Sequence, residues 1–343
     1  MYDVIVVGAG PAGSAAAATL AARARAVLLV EKFHLPRNKS CSGILIRKTL
    51  GLVESCFGET VPGHVTCAPA ENRGMVFTDD RGREYRFEQP GLNIWRSGFD
   101  HWLAGRAAAR GARLIDGTAA LACETGPDSV SVVMRGGGLV TERARYVLNC
   151  EGGVSALRRK LTGGRPDVVQ TVQCFCEGRI ELDPHYFYAY LQPELSGYDA
   201  WFNVKDGQLV LGVSAPGARG LPEYHRRFLA YMAQTHGLRI ERELRREKWL
   251  MPRVRPGCPV DTGGGRILFA GETAGFLNPM GEGISAAIES GRAAAMAIDG
   301  HFDRPDRVGD AYREATRELH GYMARQWRFV ARLAATFAEM GEP

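Results

Sequence analysis

The sequence predicts an α/β protein of two lobes with a helical segment towards its C-terminal end. Three observations carry this reading. An apolar run, a glycine-rich turn and an alanine-rich run follow one another in the first thirty residues. A middle region then alternates apolar and polar residues at strand spacing, and a tail repeats its apolar residues at helical spacing. At 343 residues the chain is too long for one simple core and suits domains of ~100–200 residues each.

Residues 3–7, DVIVV, form a short apolar run of the kind buried in a parallel sheet. Gly8-Ala9-Gly10-Pro11-Ala12-Gly13 follows, the run from Ser14 to Ala24 reads as a helix, and residues 26–30, AVLLV, give a second buried strand that ends at Glu31. This is a βαβ unit with GxGxxG at its turn. Gly8 permits the tight turn, Gly10 lets the backbone approach a pyrophosphate, and Gly13 allows close packing of helix on strand. The helix start offers free N–H groups and partial positive charge. Glu31, 18 residues after Gly13, is placed to accept hydrogen bonds from ribose hydroxyls and argues against a 2′-phosphate. The flanking strands and acid make this a dinucleotide site, although the fingerprint alone does not separate FAD from NAD.

No second βαβ fingerprint follows. Arg135-Gly136-Gly137-Gly138 separates two apolar or alternating segments and predicts a hairpin. Strands are expected over Met75–Thr78, Arg83–Phe87, Val168–Ile180, Tyr186–Leu191 and Gln208–Val213. In an extended chain Tyr186, Tyr188 and Tyr190 face one side, while His185, Phe187 and Ala189 face the other. The tyrosines then either line a pocket or stand half-exposed on a sheet. A helix is expected from about residue 222, with Gly237 as its C-cap. Across 306–340, Tyr312, Leu319, Tyr322, Met323, Trp327, Val330, Leu333 and Phe337 share one helical face, which predicts two helices broken near Gly321. That face suits core packing, with peripheral membrane contact as the alternative.

Composition narrows the function classes. The net charge is +5 with only six lysines, and the arginines are scattered beside acids, which argues for solvated faces and against nucleic-acid binding. Eight cysteines occur without a CxxC pair, and Cys174-x-Cys176 lacks partners, so no metal site is expected; on a strand both would be small core residues facing one side. No basic leader precedes the first strand, and no window holds the ~18 apolar residues of a membrane span. A cytoplasmic protein with reduced thiols is expected.

Two later segments, VLNCEGGVSALR (147–158) and ILFAGETAGFLNPMGEGI (267–284), join the N-terminal fingerprint in carrying a resemblance. Together they resemble the FAD-dependent hydroxylase (p-hydroxybenzoate hydroxylase-like) superfamily, in particular its geranylgeranyl reductase-like branch. WRSGFDHWLA (95–104) is similar to the family's Arg-x-x-Phe-Asp-x-x-Leu element, FHLPRNKSCSGIL (33–45) to its Cys-Gly loop beside the flavin ring, and GYDAWFNVKDGQLVLGV (197–213) more loosely to its aromatic substrate-domain motif. The resemblance implies a discontinuous Rossmann-like FAD-binding domain (1–66, 95–160 and 255–300), an antiparallel-sheet substrate domain (67–94 and 161–254) and C-terminal helices (301–343). It implies FAD held by Gly8, Gly10, Pro11, Ala12 and Gly13, by Glu31 and Lys32 at the nucleotide end, and by Arg96. Cys41, Ser42 and Gly43, then Glu151 and Gly152, and finally Gly271, Glu272, Pro279, Gly281, Gly283 and Ile284 would meet the ribityl chain and ring. Where the family carries aspartates, this sequence has Glu151 and Glu272, which shifts the carboxylate's reach by roughly one C–C bond.

Cys41, Tyr198 and Trp201 are the candidates for contact with the reacting substrate. A helix starting near Gly283 would aim N–H groups at the negative charge of a reduced ring. The leading reading is reduction of C=C bonds in a small hydrophobic, isoprenoid-like substrate, with NAD(P)H or a separate donor supplying electrons. The alternatives are a flavin monooxygenase (hydroxylase or epoxidase) on an aromatic or polyketide-like molecule, and an electron-transfer flavoprotein module.

Overall fold

The computed structural model describes residues 1–164, 167–217, 220–279 and 281–334. Phe337 and the rest of the expected tail beyond residue 334 lie outside the described residues. The chain opens with β1 (Tyr2–Val7), α1 (Pro11–Ala21) and β2 (Val27–Val30). Helix α1 starts three residues before the expected Ser14 because Pro11, already fixed near helical φ, takes the first helical position. There follow β3 (Ile44–Ile46), α2 (Arg47–Phe57), β4 (Thr66–Thr78), β5 (Glu84–Ile94), α3 (Arg96–Ala109), β6 (Arg113–Ile115), β7 (Ala119–Thr125), β8 (Val130–Arg135) and β9 (Leu139–Asn149). The second half comprises α4 (Ala156–Thr162), β10 (Val168–Arg179), β11 (Tyr186–Tyr190), β12 (Ala200–Lys205), β13 (Gln208–Ala215), α5 (Leu221–His236) and β14 (Arg239–Pro252). It ends with β15 (Gly263–Gly264), β16 (Ile267–Phe269), α6 (Ile284–Gly300), α7 (Pro305–Ala315) and α8 (Arg317–Leu333).

The first sheet has the order β15-β16-β9-β1-β2-β6, and its β16-β9-β1-β2-β6 portion is parallel. The hairpin predicted at Arg135–Gly138 joins β8 to β9. Helix α1 is buried almost all round, and its alanines let neighbouring helices approach closely. A Cβ on Gly291 of α6 would lie 2.1 Å from the Ala12 carbonyl oxygen, so α6 crosses α1 at backbone contact.

The second sheet runs β14-β10-β13-β12-β11-β4-β5-β3 and is antiparallel except where β11 meets β4. Strand β3, within the 1–66 segment, pairs with β5 in this sheet. The strongly charged β14 was not anticipated as a strand: as an edge strand it leaves most of its residues exposed, so no apolar alternation marks it.

One face of this sheet packs under α5, whose C-cap is Gly237 at φ 62°, as its sequence position predicts. Tyr186, Tyr188 and Tyr190 are buried in that cluster with Phe202 and Leu211. The expectation that they line a pocket or stand half-exposed is therefore corrected. The opposite row, Phe187 and Ala189, faces the cleft between the two sheets.

The tail breaks at Thr316, not near Gly321. The Thr316 hydroxyl donates back to the Tyr312 carbonyl at 2.9 Å, satisfying the end of α7 where the chain turns. Leu319, Met323, Trp327 and Val330 are buried, so core packing rather than a membrane holds this face. Among the described residues, no helix is long and apolar enough to cross a membrane.

Candidate active site

At the β1–α1 turn, Gly8 has φ +100°, and a Cβ there would lie 2.4 Å from the Cys150 carbonyl oxygen. A Cβ on Gly13 would lie 1.9 Å from the Gly8 carbonyl oxygen, so any side chain would push helix off strand. Gly13 accordingly packs behind the cleft, while Gly8, Gly10, Pro11 and Ala12 line it. Gly10 is the N-cap of α1 and supplies no side-chain cap, leaving the first-turn N–H groups for a ligand. Glu31, at the end of β2, is nearly fully buried and accepts from the Ala9 N–H at 3.0 Å and the Phe33 N–H at 3.1 Å. Lys32 lines the same end. A concave backbone turn, an uncapped helix start and a fixed carboxylate 22 residues from the Ala9 amide fit a dinucleotide.

A chain of buried charges runs inward from Glu31. Arg37 Nε lies 3.2 Å from Glu31, and Arg37 Nη1 lies 3.0 Å from Asp100. Asp100 also receives two hydrogen bonds from Arg96, at 2.8 and 2.9 Å. Burial alone would raise the Asp100 pKa, but Arg96 and Arg37 outweigh it and hold the carboxyl below its ordinary range. The 95–104 segment thus places Arg96 on the cleft wall and also anchors Arg37, whose role no sequence motif suggested.

Glu272 lines the middle of the cleft and takes Lys39 Nζ at 3.0 and 3.2 Å and the Gly153 N–H at 3.2 Å. Burial opposes its ionisation, yet Lys39, Arg96 and the Gly153 N–H lower its pKa. Glu151 is turned the other way, accepting from Ser155 Oγ at 2.5 Å and the Leu157 N–H at 3.0 Å at the start of α4. Its residue and Gly152 still border the cleft. Cys41 and Ser42 line the cleft, with Cys41 Sγ accepting from the Gly43 N–H at 3.3 Å. Gly43 sits behind them, where a Cβ would meet the Ile94 carbonyl oxygen at 2.2 Å and Lys205 Nζ at 2.3 Å.

Gly271, Pro279, Gly281, Gly283 and Ile284 all border the cleft, and α6 starts at Ile284. The free N–H groups expected at this start are in part engaged: Glu282 accepts from the Ser285 N–H at 2.8 Å and from its hydroxyl. Burial raises the Glu282 pKa despite those bonds. GEG spacing drew attention to the glycines and hid the acid between them.

The far wall belongs to the second sheet. Register places Met75 opposite Phe187, Phe77 opposite Ala189, Ala189 opposite Trp201, and Thr171 opposite Trp249, all on the cleft face. Trp201 lies flat against the sheet because its β13 partner is Gly212, where a Cβ would fall 2.0 Å from the indole ring. Tyr198 also lines the cleft, as does Val330 from α8. The cleft is continuous from the glycine turn to this apolar wall and holds about 2100 Å³ of empty space, part of it open to solvent. All predicted site residues except Gly13 and Gly43 border it. Phe187, Trp249, Leu250 and Met251 were missed because strand membership, not a motif, brings them there.

Residues 1–173 match the family described as FAD binding domain. The chain is 29% identical over 331 residues to the menaquinone reductase of Mycobacterium tuberculosis, covering 87% of this chain and 76% of that protein. It is 26% identical over 344 residues to a digeranylgeranylglycerophospholipid reductase of Methanosarcina acetivorans, covering 94% of this chain and 82% of the other. The crystal structure of a geranylgeranyl bacteriochlorophyll reductase-like protein from Thermoplasma acidophilum superposes with a TM-score of 0.82 at 21% identity, covering 97% of this chain and 87% of that one. The fold, the dinucleotide cradle and these matches agree: the chain belongs to the FAD-binding domain family and is an FAD-dependent oxidoreductase with geranylgeranyl reductase-like relatives.

Proposed function

We propose that this enzyme reduces C=C bonds of a hydrophobic, isoprenoid-like substrate. The observation that carries the proposal is the single cleft joining the dinucleotide turn to an apolar wall of Met75, Phe77, Phe187, Trp201, Trp249 and Leu250. Two relatives matched over most of the chain are named as reductases, of a quinone and of an isoprenoid lipid, which supports the same chemistry here.

FAD, when bound, supplies the two-electron chemistry. The α1 start with Gly8, Gly10, Pro11 and Ala12 would hold the pyrophosphate. Glu31 would take the adenosine ribose, with Lys32 beside it. Arg96 with Arg37, and Glu272 with Lys39, would border the linker. Cys41, Ser42, Gly152, Gly271, Pro279, Gly281, Gly283 and Ile284 would surround the ring, with Gly13 and Gly43 supporting this shell from behind. The carboxylate of Glu151 would act through the turn it caps. Tyr198 and Trp201 would orient substrate, and the sheet wall would exclude water from it. Electrons come from NAD(P)H or a separate donor, for which this chain shows no second nucleotide fingerprint.

The test is anaerobic: the reduced FAD-loaded enzyme is mixed with menaquinone or a geranylgeranyl lipid, reoxidation is followed, and product mass is read after any quinol has been oxidised back to quinone in air. Flavin reoxidation with gain of H₂ by the alkene supports the proposal. Reoxidation only on admitting O₂, with an oxygenated product, establishes the monooxygenase alternative instead.

A further inference from the structure

We propose that Asp199 is the proton donor of this cleft, delivering the second hydrogen when a carbon–carbon double bond is reduced. The inference rests on the reductase reading above. Asp199 immediately precedes β12 and borders the cleft beside Trp201. Among the described residues it is the acid that the second sheet's side contributes to the cleft, set in an otherwise largely apolar wall.

The other acids of the cleft are committed elsewhere. Glu31 is held by the Ala9 and Phe33 N–H groups and Arg37, Glu151 by Ser155 and Leu157, Glu272 by Lys39 and Gly153, and Glu282 has both oxygens on Ser285. Asp199 differs. Its Oδ1 accepts from the Ser214 hydroxyl; among the described residues no cation pairs with it, and unlike the other four acids its carboxyl takes no backbone N–H.

Burial pushes its pKa up to about 6 against the lowering effect of Ser214. Tyr198 is the adjacent titratable group, with Arg253 and Cys258 behind Tyr198, and none of the three bonds to the Asp199 carboxyl. Tying β12 to β13 does not require a carboxyl, because the Ser214 N–H already bonds the Asp199 carbonyl at 2.8 Å. An acid whose pKa is raised towards neutrality beside an apolar surface keeps a protonated fraction there and can give up that proton.

The step balances as follows. Asp199 gives its proton to one alkene carbon as its O–H bond breaks and a C–H bond forms, while bound reduced FAD would supply a hydride, from its own cleaved N–H bond, to the other carbon. The π bond is lost, the substrate gains two electrons and two protons in all, and the flavin would lose the two electrons. The nicotinamide or separate donor has supplied those electrons beforehand, and solvent returns the proton to Asp199.

Asp199→Asn and Ser214→Ala test this in the FAD-loaded enzyme with menaquinone and geranylgeranyl diphosphate as probes. Asp199→Asn should bind FAD and accept electrons as wild type does, yet transfer them to alkene about 10²-fold or more slowly. The wild-type rate should fall as pH rises through about 6, Asp199→Asn should lose that limb, and Ser214→Ala should move it to higher pH. Infrared titration of the FAD-free protein should show a carboxyl band that disappears near the same pH and is absent from Asp199→Asn. An Asp199→Asn enzyme saturating a C=C bond of either probe within about threefold of wild type overturns the assignment, since general acid–base catalysis is ordinarily worth ~10²–10⁴. If that variant does not fold, an unmoved limb in Ser214→Ala overturns it equally. Failure of the wild type itself to reduce either probe overturns the reductase reading, a result distinct from wild-type turnover with an indifferent Asn variant.

Discussion

Asp100 joins the two arginines that brace the cleft, and its removal gives the sharpest test of the charge network. The carboxylate has no solvent exposure and receives Arg96 at 2.8 and 2.9 Å and Arg37 at 3.0 Å. Asp100→Ala leaves two guanidinium groups without their shared counter-ion, Arg96 at 7% side-chain exposure and Arg37 at 11%. Breaking a buried ion pair by deleting one partner costs about 3–5 kcal/mol. That is a large share of the ~5–15 kcal/mol of an ordinary domain. Urea unfolding of the FAD-free protein, followed by circular dichroism, should show a midpoint lowered by the equivalent amount. The paired substitution Arg96→Met with Asp100→Leu should recover much of the loss, because it removes charge and counter-charge together. The pH dependence has a definite sign. A carboxyl held below its ordinary range contributes stability that is present above about pH 4 and is lost as pH falls through its folded value. The gap between wild type and Asp100→Ala should therefore narrow on acidification. A loss below about 1 kcal/mol, the value of an exposed pair, or a gap that widens in acid would refute this account.

Four other outcomes follow from the same geometry. Gly13→Ala, whose Cβ would sit 1.9 Å from the Gly8 carbonyl oxygen, should cost about 1–3 kcal/mol in thermal unfolding and abolish FAD retention on gel filtration. Gly212→Ala should displace Trp201 from the cleft wall, leaving FAD affinity within about twofold but weakening substrate binding by roughly tenfold or more, as read from titration of the holoenzyme. Glu282→Gln removes a carboxyl from the α6 start; if the flavin ring lies there, its potential by dye equilibration should rise by roughly 30 mV, equivalent to ~1.4 kcal/mol. Asp199→Asn should be more stable than wild type above pH 6 by up to about 3 kcal/mol, because a carboxyl raised from 3.8 to about 6 loses stability as pH rises through that range. Equal unfolding midpoints of the two at pH 5 and pH 8 would contradict that.

The nucleotide half of this protein is legible locally along the chain. GxGxxG, the following helix and Glu31 are local in sequence, and a turn of this kind needs particular residues at fixed spacing because backbone atoms approach within contact distance. The same locality made the Arg135–Gly138 hairpin, the Gly237 cap and the α6 start legible. Which face of β11 meets the cleft depends on long-range packing. A period-2 pattern names two faces without saying which is covered, and α5 covers the tyrosines. The roles of Arg37, Lys39 and Asp199 likewise emerged from long-range contacts. Arg37 meets Asp100 across 63 positions, Lys39 meets Glu272 across 233, and Asp199 is set apart by the apolar wall around it. Charge and burial of this kind depend on what folding brings near, and residue order alone does not encode that neighbourhood.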